Sequence, residues 1–185
     1  MKIRDMVFVA LFAGIMAALG FVPPIFLSFT PVPVTLQTLG VMLSGSLLGA
    51  RLGGLSQLVF LLLVAAGAPI LSGGRGGFSV FVGPSAGFLA GYIIAAFFIG
   101  WLLTKVKAIS FTKVLLVNII GGIVLLYCFG ISIQALVMKI SVLQAAKLSL
   151  IYIPGDLLKA IIASILTIAV RKRLPRRLLP YSFEK

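Results

Sequence analysis

The apolar residues of this chain fall into long unbroken blocks instead of the alternating pattern of strands. Residues 6–22, 34–50, 52–68, 76–104 and 114–138 contain no Asp, Glu, Lys or Arg. A helix crossing the hydrocarbon core of a bilayer needs about 17–25 such residues, so each block is long enough to span. In the fourth block the Gly- and Ser-rich start and Pro84 place the helix proper at about 85–104, because proline sits well in a first helical turn. A sixth segment, about 155–171, spans if its first turn, which carries Asp156 and Lys159, lies against protein. The pattern therefore predicts an all-α integral membrane bundle, one domain over residues 1–185. Its six transmembrane helices are expected at about 6–22, 34–50, 52–68, 85–104, 112–133 and 155–171, with a short interfacial helix at about 141–149 between Lys139 and the last span.

Composition narrows the chemistry. The chain is 61% hydrophobic, with 16 Lys and Arg against 3 Asp and Glu, no His and one Cys. That excludes a Ser-His-Asp triad, a Cys-His pair, a disulfide and the usual zinc sites. The only acids are Asp5, Asp156 and Glu184, too few and too scattered for paired-carboxylate catalysis, so the chain does not read as an enzyme, and no metal or cofactor is expected. No Gly-x-x-x-x-Gly-Lys-Ser/Thr loop is present to hold ATP.

Position gives the cations their meaning. Lys2, Arg4, Arg51, Lys105, Lys107, Lys113, Arg171, Lys172, Arg173, Arg176, Arg177 and Lys185 all fall on one side of the expected topology, which by the positive-inside rule makes both termini cytoplasmic. Arg75, Lys139 and Lys147 fall on the other. With the charge in short loops beside spans, anionic lipid explains it and nucleic acid does not. The first span could pass for a signal peptide, but its length and the even helix count favour a retained helix.

The outer loops hold the candidate chemistry. Residues 21–33 carry no charge and four prolines, a stiff apolar wall. Gly73-Gly74-Arg75-Gly76-Gly77 sets one cation between glycine pairs, either folded tightly over a ligand or turned to lipid headgroups. Asp156 and Lys159, three apart at the start of the last helix, share a face. Ionisable groups inside a span cost at least about 2.5–3.5 kcal/mol and face a cavity or a partner. They are read either as a self-neutralising pair with Asp156 as a helix cap, or as the polar end of an outward-opening pocket. Thr35, Gln37, Thr38, Ser85 and Asn118 are further polar candidates. On the first helix Ala10, Ala13, Gly14, Ala17 and Ala18 are spaced for close approach of another helix, within the bundle or from a partner.

Several of these segments together resemble the BioY family, the biotin-specific substrate-binding (S) components of energy-coupling factor transporters. The resemblance lies in Pro31-Val32-Pro33-Val34-Thr35-Leu36-Gln37-Thr38-Leu39-Gly40, Ser72-Gly73-Gly74-Arg75-Gly76-Gly77-Phe78, Gly83-Pro84-Ser85-Ala86-Gly87-Phe88 and Pro154-Gly155-Asp156-Leu157-Leu158-Lys159. Where the family usually reads Gly-Pro-Thr-Gly-Gly-Tyr, this chain has Gly-Pro-Ser-Ala-Gly-Phe. The resemblance implies a multi-pass protein of the cell membrane that captures biotin from outside. It also implies partners, a transmembrane coupling subunit and two ABC-type ATPases, docking through the small residues of helix one, and a toppling motion that releases the vitamin inward. Biotin's ureido ring would meet Asp156, its oxygens Lys159 and Arg75, and its apolar ring Tyr152, Phe29 and Phe78. A solitary facilitator and a scaffold subunit without ligand are the alternatives.

Overall fold

The computed structural model describes residues 1–28, 30–106 and 108–173. The helices are α1 (Ile3–Gly20), α2 (Gln37–Ala65), α3 (Ala86–Thr104), α4 (Phe111–Ile119), α5 (Leu126–Met138), α6 (Val142–Ser149) and α7 (Ile153–Arg173). A π-helical turn, Ile120–Leu125, joins α4 and α5 into one rod, and a 3₁₀ turn, Leu150–Tyr152, leads from α6 into α7. Among the described residues, five helical segments are long and apolar enough to cross a membrane: Ile3–Gly20, Gln37–Ala65, Ala86–Thr104, Phe111–Met138 and Val142–Arg173.

The two helices expected at 34–50 and 52–68 are both present, as the two arms of α2, and they meet at Gly49, two residues before the charged Arg51. Gly49 has φ +79°, ψ −179°, a conformation that costs glycine little and other residues much. The bend is a reversal. Gln57 Nε2 donates to Ser44 Oγ at 2.9 Å, whereas 13 residues of straight helix would separate them by roughly 20 Å. The two arms of α2 therefore lie side by side. The first arm also starts later than expected, because Thr30–Val34 is extended: it forms β2, which pairs antiparallel with β1 (Ile25–Leu27). The proline-rich wall is thus a small β-hairpin. The helix expected to end near 133 continues to Met138, where Lys139 caps it in the left-handed conformation (φ 54°).

In lipid the apolar effect does not press helices together; close packing and inter-helical hydrogen bonds do. The core is built on α2 and α3, with Val41, Met42, Phe60, Val64, Ala95, Ala96 and Ile99 buried against one another. Away from the hairpin end, Ser46 Oγ donates to Asn118 Oδ1 at 2.9 Å and Asn118 Nδ2 to Ser164 Oγ at 3.1 Å, tying α2, α4 and α7.

The π turn settles what the α4–α5 rod presents. Asn118 and Tyr127 are nine residues apart, and at about 100° per residue a straight helix would point them to opposite sides. The wider turn, with its i→i+5 bonds, absorbs about one residue, and both side chains are buried.

Candidate functional site

At the hairpin end of the bundle, β2, the start of α2, the 66–85 loop, α3, α5 and the start of α7 converge on a cavity that is partly open at its mouth. Local sequence explains how each wall arrives. Pro154 in the first turn of α7 needs no backbone donor, and Asp156 follows in that same turn, where the positive end of the helix dipole favours its charge. Opposite, Gly73 (φ 80°) and Gly74 (φ 68°) reverse the 66–85 loop so that Arg75 bridges back to Leu71. Arg75 Nε donates to the Ser72 carbonyl at 3.2 Å, which fixes the side chain.

Asp156 and Lys159 are 4% and 6% exposed, and Lys159 Nζ lies 2.8 Å from Asp156 Oδ1. The carboxylate collects two further donors from other helices, Thr38 Oγ1 to Oδ1 at 2.9 Å and Tyr127 OH to Oδ2 at 2.6 Å. An unpaired charge so buried would cost several kcal/mol, and the three donors compensate it. Tyr152 closes the wall beside the hairpin, donating to the Val32 carbonyl at 2.8 Å and hydrogen-bonding Thr30. Phe88 meets Tyr127 edge-on, with ring centroids 5.9 Å apart. Asp156 and Lys159 cancel, so Arg75 leaves the cavity with one net positive charge. It suits a ligand with an apolar body, polar N–H groups for a carboxylate and one negative charge of its own.

Of the residues expected at a site, Asp156, Lys159, Arg75, Tyr152, Gln37 and Ser85 line the cavity, as do Thr35 and Thr38. Gln37 is also a strut, its amide nitrogen donating to the carbonyls of Met16 and Ile70. Asn118 does not reach the cavity; it serves the helix tie described above. Phe78 stands outside it, 73% exposed and packed on Phe81. Phe29 lies outside the described residues. Sequence reading passed over Tyr92, Tyr127 and Phe88, which all line the cavity. A signal was available: the chain has only four tyrosines, and a hydroxyl placed in an apolar span needs a polar partner. On α1, Ala13 is 3% exposed and Ala17 packs on the core. Ala10, Gly14 and Ala18 instead face outward, with nothing within 4 Å of where a Cβ on Gly14 would be.

The model of the BioY family matches residues 1–176. The chain belongs to the BioY family. It is 52% identical over 174 residues to the probable biotin transporter BioY of Bacillus subtilis, an alignment covering 94% of each chain. It is 49% identical to the biotin transporter BioY of Rhizobium etli, covering 92% of this chain and 94% of the relative. Among solved structures, the S-component for biotin from an ECF-type ABC transporter superimposes with a TM-score of 0.92 at 32% identity, covering 97% of both chains. Membership of the BioY family accords with a multi-pass architecture and with transport as the function class.

Proposed function

We propose that this chain is the biotin-capturing S component of an ECF-type transporter. The observation that carries the reading is the buried Asp156–Lys159 pair with Arg75 across one cavity. Biotin supplies what such a cavity lacks: two ureido N–H donors for Asp156, an apolar bicyclic body for the Phe88, Tyr92 and Leu126 walls, and one carboxylate. Lys159 already touches Asp156, so its ammonium is placed for the ureido carbonyl, which lies beside the N–H groups in the same ring. Arg75, on the loop side, takes the valerate carboxylate. Gln37, Ser85 and Tyr152 complete the polar rim.

The bundle crosses the cell membrane six times, the two arms of α2 counting separately, with both termini cytoplasmic and the cavity facing outward. Supporting this orientation, Arg51, Lys105, Lys113 and Arg171 belong to the end opposite the cavity. The outward stripe Ala10, Gly14 and Ala18 receives a helix of the coupling subunit, which together with two ABC-type ATPases supplies the energy. Ala13 and Ala17 pack within the bundle. Calorimetric titration of the purified protein with biotin, and with riboflavin and thiamine as controls, tests the reading: tight binding of biotin alone is expected, and no heat with biotin would refute it.

A further inference from the structure

At the end of the bundle away from the ligand cavity, a second arrangement of space and charge has no part in vitamin capture. Between the second arm of α2 and α3 runs an open groove of about 370 Å³, walled by Leu55, Leu58, Ile93, Ile94 and Phe97. Gly54 adds no side chain to its floor, where a Cβ would already stand 3.4 Å from Phe97. The groove is apolar except at one end, which is formed by Arg51. Arg51 also borders a second hollow of about 350 Å³, with Asp5, Ala50 and Thr104 around it. One cation thus stands between an apolar channel on the lipid side and a mixed hollow at the helix ends, to which Asp5 and Thr104 add polar groups.

The level of Arg51 is fixed by the Gly49 reversal. A Cβ on Gly100 would collide with the Ala50 backbone, so the turn rests directly on α3. That sets Arg51 beside the last turn of α3, where Trp101 lies under Lys105 Nζ at 5.5 Å. Tryptophan and lysine at a helix end mark the headgroup level of a membrane. The two ion pairs among the described residues, Arg4–Asp5 and Asp156–Lys159, do not include Arg51. Asp5 is the one carboxylate facing the hollow, and Arg4 lies 3.9 Å from it.

We propose that the Arg51 groove is a binding site for one anionic phospholipid, its phosphate held at Arg51 and an acyl chain laid along Leu55, Leu58, Ile93 and Phe97. Charge complementarity selects the anionic class: a zwitterionic lipid fills the groove equally well but carries no net charge for Arg51 to neutralise. The site is independent of the vitamin cavity, since no residue lines both.

The test uses the full chain in mild detergent with equal amounts of dioleoyl phosphatidylglycerol and dioleoyl phosphatidylcholine, bound lipid being counted by native mass spectrometry. The wild type is expected to retain one phosphatidylglycerol in preference to phosphatidylcholine. Arg51→Gln should cut that preference about fivefold, the weight of one cation near an anionic headgroup. Leu58→Trp, which fills the groove from its rim, should lower retention of both lipids, and thermal melting checks that each variant is folded. Equal retention of the two lipids by the wild type overturns the proposal, and is also what a groove reserved for a partner helix would give. A loss in Lys113→Gln as large as in Arg51→Gln overturns it as well, because binding would then be diffuse attraction to that end of the protein.

Discussion

Tyr127 on α5 donates its hydroxyl hydrogen to Asp156 Oδ2 on α7 at 2.6 Å, a bond between two helices made wholly inside the bundle. Together with Thr38 and Lys159 it aims the carboxylate before any ligand arrives. Removing the carboxylate charge in Asp156→Asn keeps the shape but weakens acceptance from the ureido N–H groups and leaves Lys159 buried without its counter-ion. A hydrogen bond to a charged group is worth about 1.5–3 kcal/mol, so biotin affinity should fall by roughly ten- to a hundredfold or more in calorimetric titration. Unchanged affinity would remove Asp156 from the site.

Tyr127→Phe tests the aiming separately. It deletes one donor to the carboxylate and little packing, since the Phe88 edge contact needs only the ring. A bond to this charged group is worth about 1.5–3 kcal/mol to the fold, and only the part of it that aims the carboxylate is lost to binding, so a several-fold rise in Kd is expected with the fold retained by circular dichroism.

Arg75→Gln should discriminate between ligands. It takes the cavity's net charge from +1 to zero, so biotin, with its carboxylate, should bind at least about tenfold more weakly. Biotin amide, which lacks that charge, should bind wild type and variant about equally. If both ligands weaken alike, Arg75 acts through the loop and not on the carboxylate.

Asn118→Ala should separate stability from binding. It breaks both links of the Ser46–Asn118–Ser164 tie, and inter-helical bonds in membranes are worth about 0.6–1.7 kcal/mol each. The expected outcome is a lowered thermal midpoint in detergent with biotin affinity unchanged once the protein is folded.

On α1 the exposed and buried small residues make opposite predictions. Gly14→Leu, projecting into open space, should leave biotin binding intact and abolish co-purification with the coupling subunit. Ala13→Leu, projecting into the core, should cost about 1–3 kcal/mol by overpacking and show as reduced stability of the isolated chain.

How much of this was legible beforehand depended on the kind of signal. Asp156, Lys159 and Arg75 stood out because charge in an apolar block is costly, and the structure brings all three to one cavity. Arg51 marked the break between two helices only to within two residues: it falls at Gly49, because reversal is a matter of backbone freedom and not of polarity. The β-hairpin was hidden because four prolines read as stiffness, while its pairing depends on which backbone groups meet across it. Asn118 looked like any polar residue in a span; whether it faces a pocket or a neighbouring helix is decided by rotation about the helix axis. That rotation is set by a π turn that leaves no mark in hydropathy.

The π turn between Asn118 and Tyr127 acts as a phase adjuster on the α4–α5 rod. Deleting a single residue within 120–125 would take out the residue that the wide turn absorbs and restore ordinary helix with everything beyond it still in phase. Asn118 would keep its ties to Ser46 and Ser164, and the Tyr127 hydroxyl its bond to Asp156. The loss of one codon inside the turn is thus silent for the cavity, whereas tightening the turn to ordinary helix with every residue kept would swing Tyr127 away by about 100°.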